Sequence, residues 1–259
     1  MSPAPDGPPT GAMGSTRNAV PGYDIPDRVI VRHRLLSMPV RTSSLRSLGA
    51  FLNVFAIELF MDELAAAAGI DPVAFRLAHI KDERERAVIE AVAKAAAWKP
   101  GEKGDGRRGR GIGYARYKTV ATYNAVIAEV EVDRKTGIVK VPRIWTSVDA
   151  GQIINPDGLT NQIEGGIIQS MSWTLHEHVR FDRNWILSED WMSYPILTMP
   201  DVPRVETVLI DRPNERALGA GEAAQGPTAA AIANAFAAAT GRRIRELPLT
   251  PERVKAALA

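Results

Sequence analysis

A change of hydrophobic period near mid-chain limits the possible folds more than any other feature of this sequence. From Leu45 to about Ala97 the apolar residues recur at helical spacing. From Ala125 to Val132 (AVIAEVEV), and again from Ile138 to Val148, apolar and polar residues alternate. Asp133-Arg134-Lys135-Thr136-Gly137 separates the two runs as a turn, so the segment predicts a β-hairpin. Helices and hairpins in separate blocks, rather than in strict alternation, argue for an α+β fold of mixed helices and hairpins.

The helical block predicts a long helix from Leu45 to Ala68, with Phe51, Val54, Phe55, Leu59, Met61 and Leu64 on its apolar face. Arg41-Thr42-Ser43-Ser44 supplies a loop and an N-cap, and Gly69 a C-terminal stop. Asp71-Pro72 opens a short helix, and Glu83 to Ala97 reads as a third. Lys99 to Gly111 reads as a Gly/Lys/Arg loop. Further on, Asn155-Pro156-Asp157-Gly158 opens a helix running to about His176, and Thr207 to Ile210 reads as a strand. Leu218-Gly219-Ala220-Gly221-Glu222 is a tight glycine turn into an alanine-rich helix, Thr228 to Thr240, stopped by Gly241. Thr250-Pro251 starts a last short helix. At the other end, Asp27 to Arg34 (DRVIVRHR) reads as a strand, and the Pro/Gly-rich residues 1–21 as a disordered lead-in. The domain expected from this reading covers 22–259, mainly helical over 22–98, with the hairpin and the remaining helices over 112–259.

Composition excludes several chemistries. The chain has no cysteine, so it carries no disulfide, no thiolate nucleophile and no cysteine-ligated iron–sulfur cluster. Electrons from any redox step would leave through another cofactor or polypeptide. The four histidines lack zinc-helix spacing, so no protein-ligated metal is expected. With 32 basic and 30 acidic residues the net charge is +2, too small to attract nucleic acid. The run Lys99 to Arg110 has no interleaved aromatics and reads as a solvated loop or a face toward a partner subunit. Trp173, Trp185 and Trp191 read as core or interface residues. No run of about 18 apolar residues predicts a membrane span. The first residues do not have the form of a signal peptide. A cytoplasmic location is expected, or a periplasmic one if the chain is exported with a partner.

The residues alone leave several roles open. Glu222 follows two glycines and leads into a helix, where it is either a general base or an acidic residue favoured by the helix dipole. Gln162 and Gln169 lie seven apart and share a helix face. That face either meets a ligand or is the polar edge of a helix packed through Gly165-Gly166. Arg46 is either functional or a helix-start arginine that the dipole slightly disfavours. The Gly219–Gly221 turn lacks the glycine pattern and the lysine of known phosphate loops, which ranks phosphate binding last.

Four ordered blocks carry a family resemblance. Val148-Asp149-Ala150-Gly151-Gln152-Ile153-Ile154-Asn155-Pro156, followed by Gln162-Ile163-Glu164-Gly165-Gly166-Ile167-Ile168-Gln169, resembles the V-D-x-G-x-x-x-N-P strand and Q-x-E-G-G-x-x-Q helix of molybdenum hydroxylase large subunits. Leu218 to Glu222, with Ala233-Asn234-Ala235 beyond it, is similar to that family's G-x-G-E loop and helix. Arg245 to Glu252 is similar to its closing segment. Arg46-Ser47-Leu48-Gly49, with Asn53, Glu58 and Asp62-Glu63-Leu64, resembles its R-S-x-G helix. Within the xanthine dehydrogenase/aldehyde oxidase family, the order of the blocks points to the branch of the isoquinoline 1-oxidoreductase β-subunits. The E-M-G-Q-G block of complete subunits is absent, so the resemblance implies the C-terminal part of a molybdopterin-binding domain.

The resemblance also implies a function. Molybdopterin with molybdenum, in its cytosine dinucleotide form, would be the cofactor. Glu222 would be the general base, and Arg46 would lie near substrate or cofactor. Gln162, Gln169, Gly219 and Gly221 would face the cofactor. The small-molecule substrate would be an N-heteroaromatic or an aldehyde, hydroxylated with oxygen from water, and the electrons would pass to a [2Fe–2S] small subunit. A further chain would supply the missing part of the domain. The alternative is a non-catalytic remnant, or a split-subunit fragment, that only folds with or docks onto a partner.

Overall fold

A computed structural model describes residues 14–33, 35, 37–40 and 44–259. Three helices come first: α1 (Ala50–Ala68), α2 (Pro72–Ala78) and α3 (Glu83–Ala95). Strands β1 (Arg108–Arg116), β2 (Tyr123–Val132) and β3 (Val139–Asp149) follow, then α4 (Pro156–Leu175) and β4 (Arg204–Leu209). Helices α5 (Gln225–Thr240) and α6 (Pro251–Leu258) complete the chain, giving the α+β class expected.

The predicted punctuation is visible. Asp71 accepts from the amides of Val73 (3.0 Å) and Ala74 (3.1 Å), capping α2. Asn155 accepts from Gly158 N (2.9 Å) and, with Pro156 behind it, starts α4. Gly69 and Gly241 end α1 and α5 in the left-handed conformation, at φ 66° and 72°.

The four strands form one sheet in the order β1-β2-β3-β4; the first two pairings are antiparallel and β3–β4 is parallel. Ile127 lies opposite both Ile112 and Trp145, so the predicted hairpin is the centre of the sheet. Both its faces are covered. Val126, Ala128, Val130, Ile144 and Val148 pack against Ile163, Ile167 and Met171 of α4 and Ile232 and Phe236 of α5. Ile112, Tyr114, Ala125, Ile127 and Trp145 pack against Val88, Ile89 and Val92 of α3 and Val73 and Phe75 of α2. Side chains alternating across one sheet thus feed two helical layers.

The structure departs from the sequence reading in four places. The expected loop through Gly111 contains β1, whose glycines carry the reason. A Cβ on Gly109, Gly111 or Gly113 would lie 2.4, 2.1 and 2.3 Å from backbone atoms of α5. The alanine-rich helix therefore rests backbone-close on a glycine strand, and packing overrides the low β-propensity of glycine. The long first helix begins at Ala50, not Leu45, because Ser47 (φ 77°) and Leu48 (φ 50°) are left-handed. The expected N-cap at 41–44 falls largely outside the described residues.

Residues 27–33 make no strand pairing, and Val29 and Val31 are exposed; Arg34 lies outside the described residues. The expected lead-in is the fourth case. Residues 1–13 are not described, but 14–18 form a packed strap in which Thr16, Arg17 and Asn18 are buried. Of the tryptophans, Trp173 meets Phe51 edge-on, whereas Trp185 and Trp191 are exposed.

Candidate active site

Three segments far apart in sequence meet at the entrance to α5: the turn before α1, the exposed face of α4 and the loop 217–224. Arg46 joins them. Its Nε donates to Gly221 O (2.6 Å), Nη1 to Gln169 Oε1 (3.2 Å) and Nη2 to Gln162 O (3.2 Å). Gln162 Nε2 donates to the same Gly221 carbonyl at 3.0 Å. The buried Gln225 carboxamide closes the group, accepting from Arg46 Nε at 2.8 Å and donating to Glu222 O at 3.1 Å. Thr122 Oγ1 holds the other end of the loop through Gly219 O at 2.9 Å. Arg46, Gln162, Gln169, Gly219 and Gly221 therefore lie together around Glu222.

The left-handed turn at Ser47 and Leu48 has a local cause. Ser47 N points at Glu222 Oε1 and donates to it at 2.9 Å. Two consecutive non-glycine residues hold such a conformation only where their surroundings over-determine it. Here the amide–carboxylate bond and Gly49, whose Cβ would fall 2.4 Å from Ser15 O, fix the turn.

Sequence reasoning missed the other side of Glu222. Tyr117 OH donates to Oε2, and Arg17 Nη1 lies 3.5 Å from the same oxygen. Arg17 comes from the supposed lead-in and Tyr117 from the β1–β2 connection, and neither carries a motif. Burial pushes the Glu222 carboxyl up. The Tyr117 hydroxyl, the Ser47 amide and the charges of Arg17 and Lys118 outweigh it and hold the group below its ordinary range. Tyr117 is raised, first by burial and then by the carboxylate it bonds.

The two glycines of α4 divide between packing and opening. A Cβ on Gly166 would meet Ala224 Cβ and the Gln225 carboxamide at 3.2 Å, so this glycine seats the start of α5. A Cβ on Gly165, Gly219 or Gly221 would meet nothing within 4 Å, and none of the three has a positive φ. The loop glycines, expected to let the backbone turn and come close to a ligand, leave an open backbone surface. That surface is bordered by exposed Asn161, Gln162 and Gln169. Beside it Ser47 Oγ is buried with no hydrogen-bond partner among the described residues.

The neighbouring motif residues are structural. Buried Asp149 accepts from Arg84 Nε (3.0 Å), Arg212 Nε (2.9 Å) and Gly151 N (2.9 Å). Burial raises this carboxyl, and those donors bring it below its ordinary value. Gly151, at φ 72°, has Arg216 O where a Cβ would stand, so the V-D-x-G sequence anchors the segment that leads to Glu222. Glu58 Oε2 accepts from Arg76 Nε at 2.9 Å and from Tyr114 N at 3.0 Å, deep between α1, α2 and β1. Among the described residues no cluster of three or more metal-ligating side chains occurs. No helix among them is long and apolar enough to cross a membrane.

Known proteins resemble this chain. A nicotinate dehydrogenase component of Pseudomonas putida is 43% identical over 255 residues, covering 93% of this chain and 21% of its own length. The β-subunit of isoquinoline 1-oxidoreductase from Brevundimonas diminuta is 34% identical over 208 residues, covering 80% and 26%. The chain thus spans about a quarter or less of these curated relatives. The aldehyde oxidoreductase of Desulfovibrio gigas superposes with a TM-score of 0.68 at 18% identity, over 83% of this chain and 41% of that one, which shows a shared fold. The family described as the molybdopterin cofactor-binding domain matches residues 47–203, more than half of the 259 residues and including both the turn beneath Glu222 and the α4 face; the chain belongs to that family.

Proposed function

We propose that this chain forms one wall of the molybdopterin pocket in a molybdenum-dependent hydroxylase, with Glu222 as the general base. One observation carries this reading: Glu222 stands at the edge of an exposed polar surface whose three glycines leave room for a ligand to reach the backbone. The surface fits a polar, anionic pterin, because Arg46, Gln162 and Gln169 put charge and carboxamide groups along it and Ser47 Oγ lacks a partner. The cytosine dinucleotide form of the cofactor belongs to the same proposal.

When bound, the molybdenum group supplies the two-electron oxidation. The chain's own part is to accept a proton at the Glu222 carboxylate, which its donors keep ionised at neutral pH. Arg46 orients the Gly221 carbonyl and the two glutamines. The reaction class is hydroxylation with oxygen from water. An N-heteroaromatic substrate ranks ahead of an aldehyde, since the two relatives named above act by name on nicotinate and isoquinoline. With no cysteine in this chain, a [2Fe–2S] subunit would take the electrons.

The coverage of the relatives supports a second polypeptide supplying the rest of the pocket. It equally favours a remnant that docks without turning over. Co-expression with the neighbouring reading frames separates the two: a working site brings molybdenum and activity together, a remnant neither. In a working complex Glu222→Gln lowers kcat by about 10²–10⁴-fold at unchanged molybdenum content; retained activity would remove Glu222 from the reaction.

A further inference from the structure

We infer that Tyr117 is a positioning residue for Glu222 and that, with Arg17 behind it, it orients the carboxylate and sets how readily it takes a proton. The inference rests on Glu222 being the base.

The direction of the hydrogen bonds follows by elimination. Arg17 Nη1 lies 2.7 Å from the Tyr117 oxygen, and a guanidinium can only donate. The phenol oxygen therefore accepts from Arg17, and its single proton goes to Glu222 Oε2. A phenol that accepts from a cation is the stronger donor to an anion. With the Ser47 amide on Oε1, each carboxylate oxygen has a hydrogen-bond donor.

The backbone around the relay is built to hold it. Asn53 Nδ2 of α1 donates to Ser15 O (2.8 Å) and Arg17 O (2.9 Å), pinning the strap. Asn18 bridges to the β1–β2 connection. Its Nδ2 donates to Arg116 O, and its Oδ1 accepts from Lys118 N, both at 2.8 Å. Asn18, Lys118 and Thr119 are all left-handed, at φ 58°, 57° and 62°. A connection that only closed a hairpin would use glycine at such positions. Three strained residues here aim one hydroxyl at one carboxylate. The charged and titratable groups facing Glu222 are Arg17 from the strap, Tyr117 and Lys118 from the connection, and Arg46 from the turn before α1.

Removing the hydroxyl deletes a donor to the anion and leaves the effect of burial less opposed. The Glu222 midpoint therefore rises. Carbon-13 titration of side-chain carboxyls in the full 259-residue chain, with Glu222→Gln for assignment, reads this directly. Tyr117→Phe should move the midpoint up, and Arg17→Met by a smaller amount. Replacing the tyrosines with 3-fluorotyrosine keeps the shape and strengthens the donor, so it should move the midpoint down, and it covers the case in which Tyr117→Phe does not fold. In the assembled enzyme the acid limb of the kcat/KM profile should move up with Tyr117→Phe, while the alkaline plateau recovers.

A Glu222 midpoint unmoved by Tyr117→Phe in a folded chain, or by fluorination, would overturn the inference and leave Glu222 as base. Retained turnover in Glu222→Gln would do the reverse, removing the base while the titration result stood.

Discussion

Two glutamates with similar numbers of hydrogen bonds sit at opposite extremes of this molecule. Glu58 is 1% exposed, and its carboxylate accepts from Tyr23 OH (2.5 Å), Arg76 Nε (2.9 Å) and Tyr114 N (3.0 Å). Arg76 Nη2 and Asn234 Nδ2 close over its carbonyl. Nothing is left to accept a ligand, and the network ties α1 to α2, β1 and α5. Glu222 also has three donor groups around it, but its side chain is 31% exposed and the glycines beside it leave a surface unfilled. The contrast separates a sealed ion pair, which specifies the packing of helices, from a held but open carboxylate, which is what chemistry requires.

The comparison predicts unequal penalties. Arg76 is fully buried; burial lowers it, but facing Glu58, Tyr23 and Asp62 raises it above its ordinary value. Arg76→Met strands the Glu58 charge and should cost about 3–5 kcal/mol in urea unfolding. Glu222→Gln keeps an acceptor for Ser47 N and should change stability by under about 1 kcal/mol. Equal losses at the two sites would break the distinction between them.

Glycines sharpen the same contrast at smaller magnitude. Gly111→Ala would force a Cβ to 2.1 Å from Ala235 N on α5, a backbone atom that cannot move alone. We expect a loss of roughly 1–3 kcal/mol or more, read as a lower Tm. Gly219→Ala and Gly221→Ala meet open space and should leave Tm within about 2 °C of the parent, because a cost within ~0.5 kcal/mol moves a chain of this size little. Their effect should fall on cofactor retention in the assembled complex. Unchanged retention would mean that the open surface is not the cofactor's.

The hairpin, the caps at Asp71 and Asn155 and the glycine stops were legible in the sequence because each depends on neighbours a few residues away. The candidate site residues Glu222, Gln162, Gln169 and Arg46 were legible only through motif order, and their geometry was not. The β1 strand was illegible because what makes Gly109, Gly111 and Gly113 a strand is the backbone of α5, more than a hundred residues later. Arg17 was hidden by composition, since a Pro/Gly-rich start gives no sign that residues 14–18 are pinned by Asn53. All three groups that meet the Glu222 carboxylate, Ser47 N, Tyr117 OH and Arg17 Nη1, come from turns or a short kinked 3-10 segment. That is where periodicity has least to say.

Glu85 lies between the two extremes and gives the smallest test. It lines a cavity of about 50 Å³ with Tyr23, Glu58 and Tyr114, and it is buried. Burial, and then the charge of Asp82, push its carboxyl up to about 7. A folded value above the unfolded one means the native state holds the proton more tightly. That contribution is fully present below about pH 4.3, the unfolded value, and is lost as pH rises through 7. Glu85→Gln fixes the neutral form, so it should match the parent near pH 4 and be the more stable protein at pH 8. Paired urea titrations at the two pH values check this. A variant equally destabilised at both would place Glu85 with Glu58, as a carboxylate whose charge the fold requires.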